Sequence, residues 1–285
     1  NYGRIVNADA GSTEALWKIE ASTAALRAAG DVDISHMLIK NGSDVTITSL
    51  SDEYGKSAGA GDAYTSGGGY NGKTFVIDDS ETNGTTPRDS NVVLRTYGSV
   101  TLENDEDSAA DGDTLSVTGS SAAGTRGLYL TSLTGGLISN TPKDCWRFSN
   151  AYARIKLYGI PVVKDKVNVL SGSDVSVVSD YGDLSLIDYQ SGDKSALNVD
   201  NSIFLLQLAG DITLNHLIAK NGSTVTISTL RDGNGKSVAY GGTAAAGGKT
   251  AFVDWNIDRS TVNIKSYDSM LLCDGAEISG GSRVT

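Results

Sequence analysis

The chain has 285 residues, with 34 Gly, 3 Pro and 2 Cys, and a formal net charge of −11. Such an acidic chain repels nucleic-acid backbones and anionic membrane surfaces, and no run approaches the roughly 18 apolar residues that a membrane helix needs. Two cysteines are too few for a disulfide framework, so either one bridge between Cys145 and Cys273 or two unpaired thiols is compatible with the sequence. The Gly-rich, Pro-poor composition favours many short strands and tight turns.

The first predicted element, 15–28, is ambiguous between helix and strand. It is rich in Ala, and its apolar residues recur at helical spacing. The segment 196–210, which matches it later in the chain, contains Ile, Val, Asn and Asp and is typical of strands. Because matching segments should share one structure, we predict strands over 15–28.

A long segment of the chain occurs twice. GDVDISHMLIKNGSDVTITSLSDEYGKS, which begins at Gly30, aligns without a gap with GDITLNHLIAKNGSTVTISTLRDGNGKS, which begins at Gly210. The match continues at 72–78 with an offset of 176 and at 92–105 with an offset of 170. We therefore expect about ten additional residues in the first copy, divided between two surface-loop insertions within 57–71 and 79–91.

A shorter pattern recurs inside each copy, in which a turn residue is followed by alternating apolar and polar residues. Examples are GDVDIS, SDVTIT, GSVTLE, GDITLN and STVTIS. This period of two places Val32 and Ile34 on one buried face. The pattern predicts an all-β fold, most simply a parallel β-solenoid built from a duplicated unit. Two tandem antiparallel β-sandwich domains are the alternative.

The phrases AGDITLNHLIAKNGSTVTI, SDVSVVSDYGDLSLID and GAEISGGSRVT resemble the right-handed parallel β-helix of filamentous-haemagglutinin-type bacterial surface adhesins. The resemblance implies an elongated, non-enzymatic module on the cell surface. It covers 30–47, 92–118, 172–187, 203–228 and 260–285.

Three units follow from the repeat. We predict a first β unit at 1–118, connecting coils that match the repeat poorly at 119–170, and a second β unit at 171–285. The second unit is homologous to about 12–105.

One acidic segment is a candidate calcium site. ENDEDSAADGD, at 103–113, is rich in carboxylates and contains glycine, which suits a flexible calcium loop, although it lacks EF-hand spacing. The candidate ligands are Asp105, Asp107, Asp111 and Asp113. A solvated acidic loop without metal is the simpler interpretation.

Candidate catalytic residues are few. His36 and His216 occupy the same position of the repeat, with no nearby Cys, Glu or second His in the sequence, so we predict a structural role for both. Asp78 and Asp79 are the nearest approach to the paired carboxylates of a glycosidase, and their counterpart in the second copy is Asp254. We predict no catalytic site. The Asn-Gly pairs at 41 and 221 are predicted to be turns rather than glycosylation sites.

The sequence thus favours an extracellular structural or adhesive protein that is not an enzyme. Because both terminal regions are strand-like, we expect copies of the chain to join end to end into a filament or shaft. Surface carbohydrate is a further candidate partner. The alternatives are a β-helical polysaccharide-degrading enzyme and a phage tailspike-like carbohydrate-binding protein.

Overall fold

The structure of the chain, a computed structural model, describes residues 4–6, 16–59, 61–80, 88–103, 113–119, 126–139, 145–163, 166–186, 197–232, 234–238 and 246–285. All regular elements within these ranges are β-strands. The same ranges hold no helix with the length and apolarity that a membrane crossing requires.

The strands run around successive coils, and each coil stacks on the one before it. In the first six coils each turn contributes one strand to each of three sheets, so that each strand pairs with the third strand after it. In the seventh coil the first strand, β19 (Leu184–Leu186), pairs with β22 (Ile212–Lys220) of the second sheet instead. In the last three coils the first two strands merge into one of nine or ten residues. Ten coils spaced about 4.8 Å apart give a stack roughly 45 Å long.

The first sheet comprises β1 (Ile5–Val6), β4 (Val32–Asp33), β7 (Tyr70–Gly72), β10 (Val100–Leu102), β13 (Leu137–Ser139) and β16 (Pro161–Val163). The second sheet comprises β2 (Leu16–Glu20), β5 (His36–Lys40), β8 (Thr74–Asp78), β11 (Asp113–Thr118), β14 (Cys145–Ser149), β17 (Lys166–Leu170), β20 (Leu197–Asp200), β22 (Ile212–Lys220), β26 (Thr250–Asp258) and β28 (Met270–Ser279), and β19 (Leu184–Leu186) pairs with β22 at its side.

The third sheet comprises β3 (Thr23–Ala28), β6 (Asp44–Ser49), β9 (Asn91–Thr96), β12 (Leu128–Ser132), β15 (Tyr152–Leu157), β18 (Asp174–Ser179), β21 (Ile203–Gln207), β23 (Thr224–Ser228), β27 (Thr261–Lys265) and β29 (Arg283–Val284). A short antiparallel pair, β24 (Leu230–Arg231) and β25 (Ala246–Gly247), lies outside the three sheets.

The three long sheets are parallel throughout, which makes the antiparallel-sandwich alternative wrong. Strands from 1–118, 119–170 and 171–285 pair within the same sheets. The prediction of strands over 15–28 is confirmed by β2 and β3. Pairing with β5 and β6 overrides the helical propensity of this Ala-rich segment, because it places alternate residues against the core.

The corner between the second and third sheets has the same backbone bend in most coils. Asn41 and Asn221 have φ of 56° and 55°, and the glycine after each also has a positive φ, so the predicted Asn-Gly turns are confirmed. Asn tolerates this left-handed conformation better than most residues. Seven non-glycine residues in the described ranges adopt it, all at this corner: Ala21, Asn41, Asn150, Ser171, Asn201, Asn221 and Arg259.

Serine hydroxyls form a buried ladder beside that bend. The backbone N–H of Ser173 donates to Oγ of Ser202 (3.1 Å), and the N–H of Ser202 donates to Oγ of Ser223 (3.3 Å). The hydroxyl of Ser173 in turn donates to the carbonyl of Leu170 (2.6 Å). The ladder provides a hydrogen-bond partner for backbone groups that the corner takes away from the sheets.

The core fills the inside of the coils with the apolar residues of the alternating pattern. Tyr70 and Phe75, both fully buried, pack edge to face with ring centroids 5.7 Å apart. Equivalent residues of successive coils stack in columns; one column runs from Trp17 in β2 to Ala276 in β28. The core therefore continues without interruption from the first coil to the ninth, and the tenth coil lies at its end.

The strand registers change the alignment of the two matching segments. Val32 pairs with Tyr70, and Ile212 pairs with Thr250, so the offset of 180 persists where the sequence suggested 176. The expectation of an insertion within 57–71 is therefore wrong, and all ten additional residues fall between Asp78 and Asn91. The sequence alignment was wrong here because the matching GKT residues lie beside a loop, where identical residues need not occupy equivalent positions of the strands.

Candidate functional site

The proposed calcium ligands lie mostly outside the described residues. Asp105, Asp107 and Asp111 fall there, and only Asp113, the first residue of β11, is described. Burial raises the pKa of the Asp113 carboxyl, and the nearby Arg147 opposes this shift, with its Nε 3.9 Å from Oδ2. Among the described residues, no group of three or more His, Cys, Asp or Glu side chains could hold a metal ion. Calcium binding at 103–113 stays a prediction.

Asp78 and Asp79 do not share one environment. The Asp78 carboxylate accepts a hydrogen bond from the Ser80 hydroxyl and pairs with Lys40 (3.3 Å); although burial opposes it, these contacts hold its pKa below the usual value. Asp79 is buried and accepts hydrogen bonds from the N–H and hydroxyl of Ser90 (2.6 and 2.8 Å), and burial raises its pKa. Ser90 is the ladder serine of this coil, because its Oγ accepts the N–H of Ser43. The Asp79 carboxylate accepts the Ser90 hydroxyl in the place of the backbone carbonyl that accepts the Ser173 hydroxyl.

The stack brings His216 beside Asp254, a contact that sequence reasoning missed. The ring Nδ1 of His216 is hydrogen-bonded to Oδ1 of Asp254, 38 residues away and one coil further along. His36, at the equivalent position, is hydrogen-bonded to Oγ1 of Thr74 (2.8 Å), again 38 residues away. Asp254 is therefore equivalent to Thr74, which corrects its predicted equivalence to Asp78. The constant separation of 38 residues was the signal that could have located both contacts.

Two loops leave the stack at the same corner, six coils apart, and their described residues share one turn. We call residues 51–69 the first corner loop and residues 231–249 the second corner loop. In the first, Oδ1 of Asp52 accepts the N–H groups of Tyr54 and Lys56 (2.9 and 2.8 Å). In the second, Oδ1 of Asp232 accepts those of Asn234 and Lys236 at nearly the same distances. Each loop therefore has a tip fixed by an aspartate-capped turn.

The tip of the second corner loop rests on tyrosines of earlier coils. The hydroxyl of Tyr181 donates to the carbonyl of Asn234 (2.8 Å), and the Tyr181 ring lies directly against Gly235. Tyr181 follows β18 in the sixth coil, two coils before the coil from which the loop leaves. It packs in turn on Tyr158 of the fifth coil, with ring centroids 4.8 Å apart. The second loop thus folds back over two coils and is held by aromatic side chains.

The first corner loop leaves from the second coil, so the described residues include no coil two positions below its tip. Tyr54, at the position of Asn234, is 66% exposed. Tyr54, Asp52, Glu53 and Asp62 line a cleft of about 460 Å³ in this loop. The main structural difference between the loops is therefore that one tip is covered by tyrosines and the other is open.

The last coil exposes residues that face the core in every earlier coil. Ile278 of β28 continues the column of Ile257 but is 49% exposed, and Met270 is 54% exposed. Within the described residues β28 pairs on one side only, with β26, and β29 only with β27. The stack thus presents an unpaired edge with an apolar lining, which is a template for further strands.

Cys145 is buried and Cys273 is exposed, and the two do not form a disulfide, so the structure decides between the two alternatives left open by the sequence.

No protein-family model, no curated protein and no solved structure matches this chain. Its class is therefore defined by the fold alone: an all-β chain of long parallel sheets with the coil arrangement of a β-solenoid.

Proposed function

We propose that this chain is an extracellular structural or adhesive protein that assembles end to end into a filament or shaft. The observation that carries the proposal is the apolar, unpaired edge of the tenth coil, on β28 and β29. A stack of this kind suits a spacer, because parallel sheets pair each coil with the next along its whole length.

The first coil offers a surface that complements this edge. If β2 of a second copy continued the second sheet beyond β28, the registers would place its Trp17 against the small Ala276 and its Ile19 against Ile278. A large residue would then face a small one, and two apolar residues would meet on the core side.

Charge also favours this pairing. On the outer face of the same sheet, the same continuation places Lys18 of one copy against Glu277 of the other. Both side chains are exposed in the single chain. A pair of opposite charges at the rim of an interface favours the correct register and orientation more than it adds affinity.

The test is sedimentation velocity and negative-stain electron microscopy at rising protein concentration. The wild-type chain should form rods that lengthen at constant width. Ile278→Lys places a charge in the joint and should keep the protein monomeric. Ile203→Lys is the matched control, because Ile203 is equally exposed (51%) but lies in the middle of the stack, and it should assemble as the wild type does. A wild-type chain that stays monomeric throughout would refute the proposal.

A further inference from the structure

The two corner loops differ in what lies beneath them, and this difference supports an inference about the joint at which the tenth coil of one copy meets the first coil of the next. The inference rests on the proposed end-to-end assembly. We propose that the first corner loop reaches across the joint and docks through Tyr54 on Tyr267 of the preceding copy.

The second corner loop shows within one chain what the tip of such a loop packs against. Counting from the eighth coil, from which this loop leaves, Tyr181 is two coils lower and Tyr158 three coils lower. The tip contacts Tyr181, and Tyr181 packs on Tyr158. The surface recognised by the tip is therefore a tyrosine ring at the corner that follows the third sheet.

The assembly places a tyrosine at the corresponding position for the first corner loop. When the tenth coil of one copy lies directly below the first coil of the next, the ninth coil lies three coils below the second. Tyr267 follows β27 in that ninth coil and is 47% exposed. Continued past the ends of β15 and β27, the strand registers put Tyr267 in the same column as Tyr158. Tyr267 is thus related to the first corner loop as Tyr158 is related to the second.

The side chain at the loop tip matches this arrangement. The second corner loop has the short Asn234, and the ring of Tyr181 fills the space between its tip and Tyr158. The first corner loop has Tyr54 at that position, and its own exposed ring can occupy the place of Tyr181. One coil spacing is about 4.8 Å, a distance that a tyrosine side chain spans and an asparagine side chain does not.

The contact proposed is an aromatic pair, with the Tyr54 ring of one copy packed on the Tyr267 ring of the other. It adds a contact outside the sheets, on one corner of the joint. A contact at one corner fixes the rotation of one copy on the next, so that the corner loops of successive copies lie along one line of the filament.

The first experiment measures the protein concentration at half-maximal assembly by sedimentation. Tyr54→Ala and Tyr267→Ala should each raise it by about three- to tenfold, and the double variant should raise it no further than either single variant. Tyr54→Phe keeps the ring and should assemble nearly as the wild type does. Additive effects of the two alanine variants would overturn the inference.

The second experiment tests the contact directly. Tyr54→Cys and Tyr267→Cys are made in separate chains that both carry Cys273→Ser, which leaves only the buried Cys145 as a native thiol. Mixed and oxidised, the two proteins should give a covalent dimer. Tyr64→Cys, placed elsewhere in the same loop, should not cross-link to Tyr267→Cys. Absence of the dimer in a mixture that does assemble would overturn the inference.

The two proposals fail in distinguishable ways. If the wild type forms rods that Ile278→Lys abolishes, but the changes at Tyr54 and Tyr267 have no effect, the docking of the first corner loop is wrong and end-to-end assembly stands. If the wild type forms no rods, both proposals are refuted.

Discussion

We expect the hydroxyl group of Tyr70 to destabilise the fold, so that a variant lacking this hydroxyl should have a higher free energy of unfolding. Tyr70 is fully buried in β7, and its hydroxyl has no hydrogen-bond partner among the described residues. Burial also raises the pKa of this phenol above its usual value. In the unfolded chain the hydroxyl is hydrogen-bonded to water, so folding removes those bonds without replacing them.

The expected size of the effect follows from the cost of an unsatisfied buried donor, which is about 1–3 kcal/mol. Tyr70→Phe removes the hydroxyl and keeps the ring and its edge-to-face contact with Phe75. The variant should therefore be more stable than the wild type by about 1–3 kcal/mol. Tyr70→Ala also removes the ring and should cost about 3–5 kcal/mol, because it leaves a cavity in the core.

The assay is urea unfolding at neutral pH, followed by circular dichroism, with the free energy of unfolding taken from the midpoint and slope. Tyr267→Phe is the control, since Tyr267 is half exposed, and it should leave the midpoint unchanged. Thr250 occupies the register position of Tyr70 in the ninth coil, and its hydroxyl also has no partner among the described residues, so Thr250→Val should shift stability in the same direction. A Tyr70→Phe protein less stable than the wild type would refute the reasoning.

Three further changes test the corner between the second and third sheets. Ser173→Ala removes the acceptor of the Ala151 N–H (3.0 Å) and should lower the free energy of unfolding by about 1–3 kcal/mol in urea, whereas an unchanged midpoint would contradict the ladder. Ala21→Asn should raise it by about 1 kcal/mol, because Ala21 has a φ of 46° and asparagine tolerates that conformation better; a loss of stability would count against this account. Burial raises the pKa of Asp79 above its ordinary 3.8, so the folded chain binds the proton more tightly than the unfolded chain. The free energy of unfolding of the wild type, relative to that of Asp79→Asn, should therefore fall as pH rises from about 3.8 through the raised pKa. Urea titrations over that pH range measure this difference, and a difference independent of pH would disprove the account.

The candidate site could be predicted from the sequence only in part. The repeat indicated that His36 and His216 are equivalent, but not that Asp254 lies beside His216 while Thr74 lies beside His36. These contacts cross between coils, and a residue's neighbour in the next coil depends on how many residues the coil contains. The apparent match of GKT at 72–74 and 248–250 gave a wrong coil length, and the true partner of His216 was missed for that reason.

The loops illustrate the same limit. Turn residues such as Asp52 and Asp232 occupy matching positions of the repeat, and each specifies the turn at the tip of its corner loop through near neighbours. Whether a loop tip is covered depends on which coil lies beneath it. The sequence around Tyr54 and Asn234 does not indicate what each residue contacts. Tyr54 is nevertheless exposed, whereas Asn234 is hydrogen-bonded to Tyr181.

The sequence by itself determined the strands, the turns and the buried face of each strand, because alternation and left-handed turn residues act through near neighbours. It could not choose between parallel and antiparallel pairing, since a period of two is the same in both. Only the tertiary structure decided the parallel stacking, the registers and the side chains that meet between coils. Those depend on pairing between residues about 20 to 40 positions apart, where the length of each intervening loop decides which side chains face one another.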